Sequence, residues 1–364
     1  MKIGIVGTRG IPNQYGGFEQ FVEYIAPELV QRGHEVFVYN SSLHPYKENI
    51  WKDVHLIRKF DPENRLGTAG QFIYDLNCIL DSRKRKYDVI LQLGYTSSSI
   101  WSFLFPRKSV LVTNMDGLEW KRSKYSKPVQ RFLKHAERWA VVHSDTLVAD
   151  SKGIQEYLQN KYNKPSAYIA YGASLFQNPS DEIIKQYNLK KFSYNIAIAR
   201  MEPENNIETI MKGHRDAAFS DPLIIIGGYT NRHGRYLKEK YESERILFLG
   251  PVYNIEILNN LRYYSKLYFH GHSVGGTNPS LLEAMASGCL VAAHDNIFNK
   301  SILEEDAFYF TDPLSIVELL NTIITKDDYR KCIANNLRKI GELYSWKHIA
   351  NQLEECLLKS LEKK

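Results

Sequence analysis

From Gly275 to Glu283 the chain reads Gly-Gly-Thr-Asn-Pro-Ser-Leu-Leu-Glu, residue types that can together hold a phosphate and a sugar hydroxyl. Gly275 and Gly276 leave backbone N–H groups open to close approach by a ligand. Thr277 and Asn278 follow; Asn278 suits a helix N-cap, and Pro279 suits the first helical position, where its missing N–H is no loss. A helix N-terminus favours negative charge, so the segment can cradle a phosphate. Glu283, one turn further in, would repel that phosphate, and suits instead the acceptance of hydrogen bonds from sugar hydroxyls. Diphosphate and ribose together describe a nucleotide. The same residues also make an ordinary tight loop and capped helix, so the surrounding elements decide between the two.

Those elements alternate between strand and helix, in two series. KIGIVG (2–7) reads as a first strand, a helix is predicted from the Gly16-Gly17 pair to about Gln31, and EVFVYN is the second strand. Apolar runs recur at 54–58, 88–93, 109–113, 146–149 and 167–170. A second series runs through 195–200, 223–228, 245–250, 266–270, 289–293 and 307–310, with helical segments between nearly all of them. Such alternation predicts an α/β fold of two doubly wound parallel sheets, with ligands at the C-terminal strand ends. The polar stretch from about Tyr171 to Asn195 reads as a linker. Near the C-terminus, Asp312 and Pro313 open one amphipathic helix, a second follows, and Ser345 caps a last one that has no strand after it.

On this frame further residues fall at strand ends. Arg200 closes the first strand of the second series, where a guanidinium could grip the same diphosphate in bidentate fashion. In the first series, Tyr-Gly-Gly-Phe-Glu places Gly16, Gly17 and Glu19 at a helix start, and Asp116 follows a strand within NMDGLEW. Glu19 also makes sense as a charge at a helix start, and Asp116 as a turn residue. A dinucleotide reading competes. Gly4, Gly7 and Gly10 follow the first strand, and Tyr157/Lys161 and Tyr236/Lys240 are Tyr-x-x-x-Lys pairs. The acidic residue that should hold a ribose after the second strand is missing, however, from Tyr39-Asn40-Ser41-Ser42, and Pro12 interrupts the expected helix.

Composition bounds the rest. At 364 residues the chain has room for two cores, and 43% hydrophobic with 24% charged residues is ordinary for a globular protein. Cys78, Cys289, Cys332 and Cys356 have no paired spacing, so neither a disulfide framework nor a zinc site is expected. The N-terminal apolar run is too short for a signal peptide, and no run approaches the roughly 20 residues that span a bilayer; a cytoplasmic location is expected. The formal charge of +6 is uneven: residues 1–175 carry 24 Lys/Arg against 17 Asp/Glu, the remainder 23 against 24. Much of the excess lies between Lys121 and Trp139, where cations and aromatics alternate on a predicted helix. A solvated face or a face for nucleic acid would explain it, and so would docking on an anionic membrane.

Taken together, YGGFE, NMDGLEW, ARMEPENN (199–206), FLGPVY, HSVGGTNPSLLEAMASG and the closing SWKHIANQ resemble the retaining glycosyltransferases of the GT-B architecture, family 4. The likeness spans essentially the whole chain, and the first two motifs with GGTNPSLLEAM look most like a bacterial surface-polysaccharide subgroup that includes rhamnosyltransferases. The resemblance implies two Rossmann-like domains facing a central cleft: an acceptor domain at 1–172, a nucleotide-sugar domain at 173–344, and a helix at 345–364 returning to the first. It implies a nucleotide diphosphate sugar bound by Arg200, Gly275, Gly276, Thr277, Asn278 and Glu283, and an acceptor near Gly16, Gly17 and Glu19. Catalytic roles fall to Asp116 and Arg200. The acceptor is expected to be a saccharide or lipid-linked glycan, with peripheral contact at the inner membrane face and no nucleic acid. A sugar-nucleotide epimerase of the same architecture and a binding protein without catalysis are the alternatives.

Two positions depart from the family pattern. Its first glutamate, separated by seven residues from the one at Glu283, is replaced by Gly275, and the lysine that usually follows the arginine by five is Asn205. Lost hydroxyl contacts suit a deoxy sugar such as rhamnose. No cofactor or metal is expected: the chain has no Asp-x-Asp and no His/carboxylate cluster, so fixed donors must stabilise the charge that builds on a leaving diphosphate.

Overall fold

The computed structural model describes residues 1–364 except 15, 123, 124, 219, 220, 323 and 324. Tyr15 of the YGGFE stretch, and Ser123 and Lys124 of the basic run, therefore lie outside the described residues. Fourteen strands among those described form two sheets. The first contains β1 (Lys2–Val6), β2 (Glu35–Ser41), β3 (Ile50–Trp51), β4 (Val54–Lys59), β5 (Val89–Leu93), β6 (Val110–Asn114), β7 (Thr146–Ala149) and β8 (Ser166–Tyr168), in the order β3-β4-β2-β1-β5-β6-β7-β8. The second contains β9 (Asn195–Ile198), β10 (Leu223–Ile226), β11 (Ile246–Gly250), β12 (Leu267–His270), β13 (Val291–His294) and β14 (Phe308–Phe310), in the order β11-β10-β9-β12-β13-β14. Pairing is parallel throughout, apart from the short β3 against β4.

The apolar runs explain this arrangement. All five residues of β5 and of β6, and all four of β10, are buried. A strand covered by helices on both faces needs unbroken Val, Ile and Leu rather than alternation. In each sheet the chain first builds outward in one direction and then crosses to the other side. The reversal leaves a crevice between the C-terminal ends of β1 and β5 in the first sheet, and of β9 and β12 in the second, where such folds hold ligands.

The chain divides into two compact units, one of Met1–Lys121, Tyr125–Tyr171 and Trp346–Lys364, the other built on Gly172–Ser345. The stretch expected as a linker is a packed part of the second unit. Within it Asp181–Lys185 is helical, Ile184 is buried, and Ser180 N–H donates to Asn260 Oδ1 at 2.7 Å. Its polar composition misled because a few scattered apolar anchors, Ile184, Leu189, Phe176 and Phe192, tie it down together with backbone and Asn partners. Asp312 caps helix Pro313–Asn321 through a capping box with Ser315. The last helix, Trp346–Glu362, packs within the first unit: Trp346 stacks on Tyr24 at 4.5 Å between ring centres, and Glu354 pairs with Arg32 at 2.8 Å.

The two Tyr-x-x-x-Lys pairs have a structural use. Tyr157, Lys161 and Tyr162 converge on Glu137 Oε1 at 2.8, 2.8 and 2.6 Å. Tyr236, Lys240 and Tyr241 converge in the same way on Glu208 Oε1 at 2.9, 3.0 and 2.9 Å. Each set, YLQNKY or YLKEKY in sequence, pins the end of one helix to a carboxylate of another. Burial first, and then the carboxylate each one faces, raises the pKa of Tyr157, Tyr162 and Tyr241, the opposite of what a proton-abstracting tyrosine requires.

Candidate functional site

In the second unit the crevice between β9 and β12 is bordered by the loop after each strand. The two loops are laced together. Asn205 Nδ2 donates to the Arg200 carbonyl at 2.7 Å, and Asn205 Oδ1 lies 2.8 Å from His272 Nδ1. Asn206 Nδ2 reaches Gly271 O at 2.8 Å, and Ser273 donates from both N–H and Oγ to the Glu204 carbonyl. Gly271 is required by this contact, since a Cβ there would stand 2.0 Å from Asn205 O. Position 205, where the family pattern has a lysine, is thus a buried cross-link between the loops.

Arg200 is exposed at the mouth of this crevice, and among the described residues it makes no ion pair. It lies close enough to His272 to influence its charge: burial first, then cationic neighbours including Arg200, push that imidazole down to about 4. His270, below it on the strand, is pushed well below the usual histidine range by burial, and its Nε2 has no hydrogen-bond partner. Both rings are therefore neutral at pH 7.

After His272 the chain turns through Gly275 at φ +120°, a conformation open to glycine and strained for other residues. A Cβ at 275 would also meet His272 Nε2 at 3.2 Å. The carboxylate expected there by family pattern is excluded by the backbone itself. Gly276 and the buried Thr277 lead to Asn278, whose side chain accepts from Ser280 N–H at 2.9 Å as N-cap, with Pro279 first in helix Pro279–Ala286. The capped helix start thus has its ends tied as the sequence implied.

Glu283 sits on that helix and is held from beneath by a residue that sequence reasoning passed over. Arg262 is 1% exposed, and its Nη2 lies 2.6 Å from Glu283 Oε2 and 3.3 Å from Ser280 Oγ. Its Nη1 donates to Asn259 Oδ1 at 2.9 Å. Burial works against the guanidinium charge, but Glu283 more than offsets this and raises its pKa. Tyr268 extends the network, its hydroxyl 2.8 Å from Ser280 Oγ. Nothing in the string Asn-Asn-Leu-Arg-Tyr-Tyr marks Arg262 as buried; a cation almost never is unless paired, and the partner lies 21 residues on.

The first unit offers a second group of residues at its own strand ends. Gly16 is the N-cap of helix Gly17–Gln31, in extended conformation, and a Cβ on Gly17 would touch the Tyr171 hydroxyl at 3.4 Å. Glu19 is buried and accepts from Arg9 N–H at 2.8 Å, tying the helix start to the loop after β1. Asp116 follows β6 at φ +49°, its N–H on Asn114 Oδ1 at 3.0 Å; an aspartate in left-handed backbone is uncommon and clusters at ligand sites. Asp75 was not anticipated. It is buried on helix Gly70–Ser82, accepts from Ser97 Oγ at 2.6 Å, and burial raises its pKa to about 6. Among the described residues, no group of three or more His, Cys, Asp or Glu could hold a metal ion. No described helix is long and apolar enough to cross a membrane.

Residues 1–174 match a family described only as a domain of unknown function, DUF1972. No curated protein sequence matches the chain. Several solved structures share the fold along its entire length. Sucrose-phosphate synthase from Thermosynechococcus elongatus is 17% identical with a TM-score of 0.80, covering 100% of both chains. HepE from Anabaena, in complex with UDP and glucose, is 16% identical with a TM-score of 0.75, covering 98% of this chain and 99% of that one. A glycosyltransferase from Rickettsia africae ESF-5 is 14% identical with a TM-score of 0.70, over 100% of this chain and 99% of that one. At these identities the likeness is one of architecture: two parallel-sheet, Rossmann-like α/β units as in GT-B glycosyltransferase structures.

Proposed function

We propose that the chain is a glycosyltransferase that takes its donor, a nucleoside diphosphate sugar, in the second unit. The observation that carries this reading is the placing, at one switch-point crevice, of an exposed arginine that makes no ion pair among the described residues and a glycine loop that opens a capped helix. Two proteins of the same architecture have been solved with UDP-glucose or a fluorinated analogue of it, which supports a nucleotide sugar as donor class. Arg200 and the N–H groups of Gly276 to Asn278 would bind the diphosphate; Glu283 would accept from the ribose hydroxyls. Its pair with Arg262 offsets the charge that would otherwise repel the phosphates.

In the transfer, the bond between the sugar's anomeric carbon and the diphosphate oxygen breaks while an acceptor hydroxyl bonds to the same carbon. The hydroxyl proton passes to a diphosphate oxygen, and nucleoside diphosphate leaves. Negative charge builds on the leaving group, so preorganised donors do most of the catalysis, without a metal ion. Family resemblance favours attack from the face the diphosphate leaves, with retention of configuration. Gly275 places no carboxylate beside the sugar, which favours a deoxy sugar such as rhamnose. On the first unit, Gly16, Gly17 and Glu19 would receive a saccharide or lipid-linked acceptor, with Asp116 orienting it, and the basic excess would favour peripheral contact with an anionic membrane.

The test is product analysis after incubation with thymidine, uridine and guanosine diphosphate sugars and a lipid-linked glycan extract. A sugar added to the acceptor, with release of nucleoside diphosphate, supports the proposal. An epimerised nucleotide, or tight binding without turnover, replaces it with an epimerase or a binding protein.

A further inference from the structure

On the first unit, helices Lys127–His143 and Lys152–Tyr162 border an open groove of about 630 Å³ lined by Arg131, Lys134, His135, Arg138, Lys161 and Tyr162. Arg131, Lys134 and Arg138 recur at helical spacing on one face, and span about 10 Å of helix. Several surface cations stand beside carboxylates, among them Arg32, Lys59, Arg85 and Lys238. Here Arg131, Lys134 and Arg138 have no carboxylate partner among the described residues. Glu137 is buried behind the groove, already bound by Lys161, Tyr157, Tyr162 and the Trp120 indole N–H at 3.0 Å.

Like charges gathered in a concavity without counter-ions are costly to keep unless an anion relieves them. We infer that this groove binds a phosphate-bearing anion, a diphosphate or phosphodiester group, at a site separate from the donor cradle. Two guanidiniums flanking an ammonium suit several phosphate oxygens in bidentate fashion better than a single carboxylate. Base stacking is disfavoured, because the Trp120 face already carries the ammonium groups of Lys134 at 4.3 Å and Lys161 at 5.5 Å. The inference does not depend on the chain's being a glycosyltransferase.

The protein carries its own probe. All five tryptophans, at 51, 101, 120, 139 and 346, belong to the first unit, and two of them adjoin the groove. Sodium pyrophosphate is titrated against the full chain at constant ionic strength while tryptophan emission is followed. A second arm measures co-sedimentation with phosphatidylglycerol and with phosphatidylcholine vesicles, which tells a free phosphate from one presented on a lipid. The parent protein should give a saturable tryptophan response to pyrophosphate, to phosphatidylglycerol vesicles or to both. Arg131→Ser/Arg138→Ser should weaken it at least tenfold, and Lys134→Ser should weaken it less. Both arginines are exposed, so an unchanged melting temperature is expected and would exclude unfolding as the cause. No response in either arm, or one that the double substitution leaves intact, overturns the inference.

Discussion

Arg200 and Glu283 carry opposite charges to opposite ends of the proposed nucleotide, and their substitutions should therefore separate. Arg200→Ala removes a charge-assisted contact to the diphosphate worth roughly 1.5–3 kcal/mol, so affinity for a nucleoside diphosphate should fall at least tenfold. Glu283→Gln should weaken the nucleoside diphosphate but leave pyrophosphate binding at parental strength, as isothermal titration would show. Arg262 tests the support beneath. Arg262→Met leaves Glu283 facing a buried apolar group and should cost about 3–5 kcal/mol in chemical denaturation, whereas adding Glu283→Gln should restore much of it. Equal costs for the single and double variants would mean that packing, not charge, holds this pair. The strand-end position of Arg200 and the glycine turn and capped helix that carries Glu283 were legible in the sequence, because strand ends and helix caps leave local marks. Arg262 and Asp75 were not, since burial and a distant partner are properties of the folded chain.

The elements explain the two departures from the family pattern. The loop after β12 turns through a glycine-only conformation, and the loop after β9 spends position 205 on holding its neighbour. Gly275→Glu should therefore cost about 1–3 kcal/mol in backbone strain, seen as a lower melting temperature and weaker, not stronger, donor binding. Strand runs and caps were readable locally, and the sheets formed where the apolar runs predicted. The segment 172–194 was misread because its anchors are scattered in sequence and their partners lie about 70 to 90 residues away. The buried histidines add a pH dependence to the second unit. His214 and His272 are pushed down to about 4, and His270 is also lowered, chiefly by burial, so the folded state keeps rings neutral that the unfolded chain protonates near 6.5. Their contribution is complete above that value and is lost as pH falls from about 6.5 towards 4. Melting temperature should drop steadily over this window, and His270→Phe should flatten the slope; an unchanged slope would show that His270 takes up its proton in the fold as it does in the unfolded chain.

At the scale of the whole molecule, two Rossmann-like units of the GT-B architecture leave one strand-end crevice each, and charged groups are unevenly shared between them. The second unit holds the proposed donor crevice; the first carries the basic excess and, near Arg9, the carboxylates of Glu19, Glu63 and Asp75. With fixed donors in place of a cation, sugar transfer should persist in EDTA, and loss restored by manganese or magnesium would show that a metal supplies the missing charge. The most direct measurement is a calorimetric titration of uridine and thymidine diphosphates into the parent protein, Arg200→Ala and Glu283→Gln. Saturable binding of one nucleotide to the parent, weakened at least tenfold in both variants, is the predicted result. Binding that survives both substitutions unchanged would contradict the assignment of the crevice between β9 and β12 as the donor site.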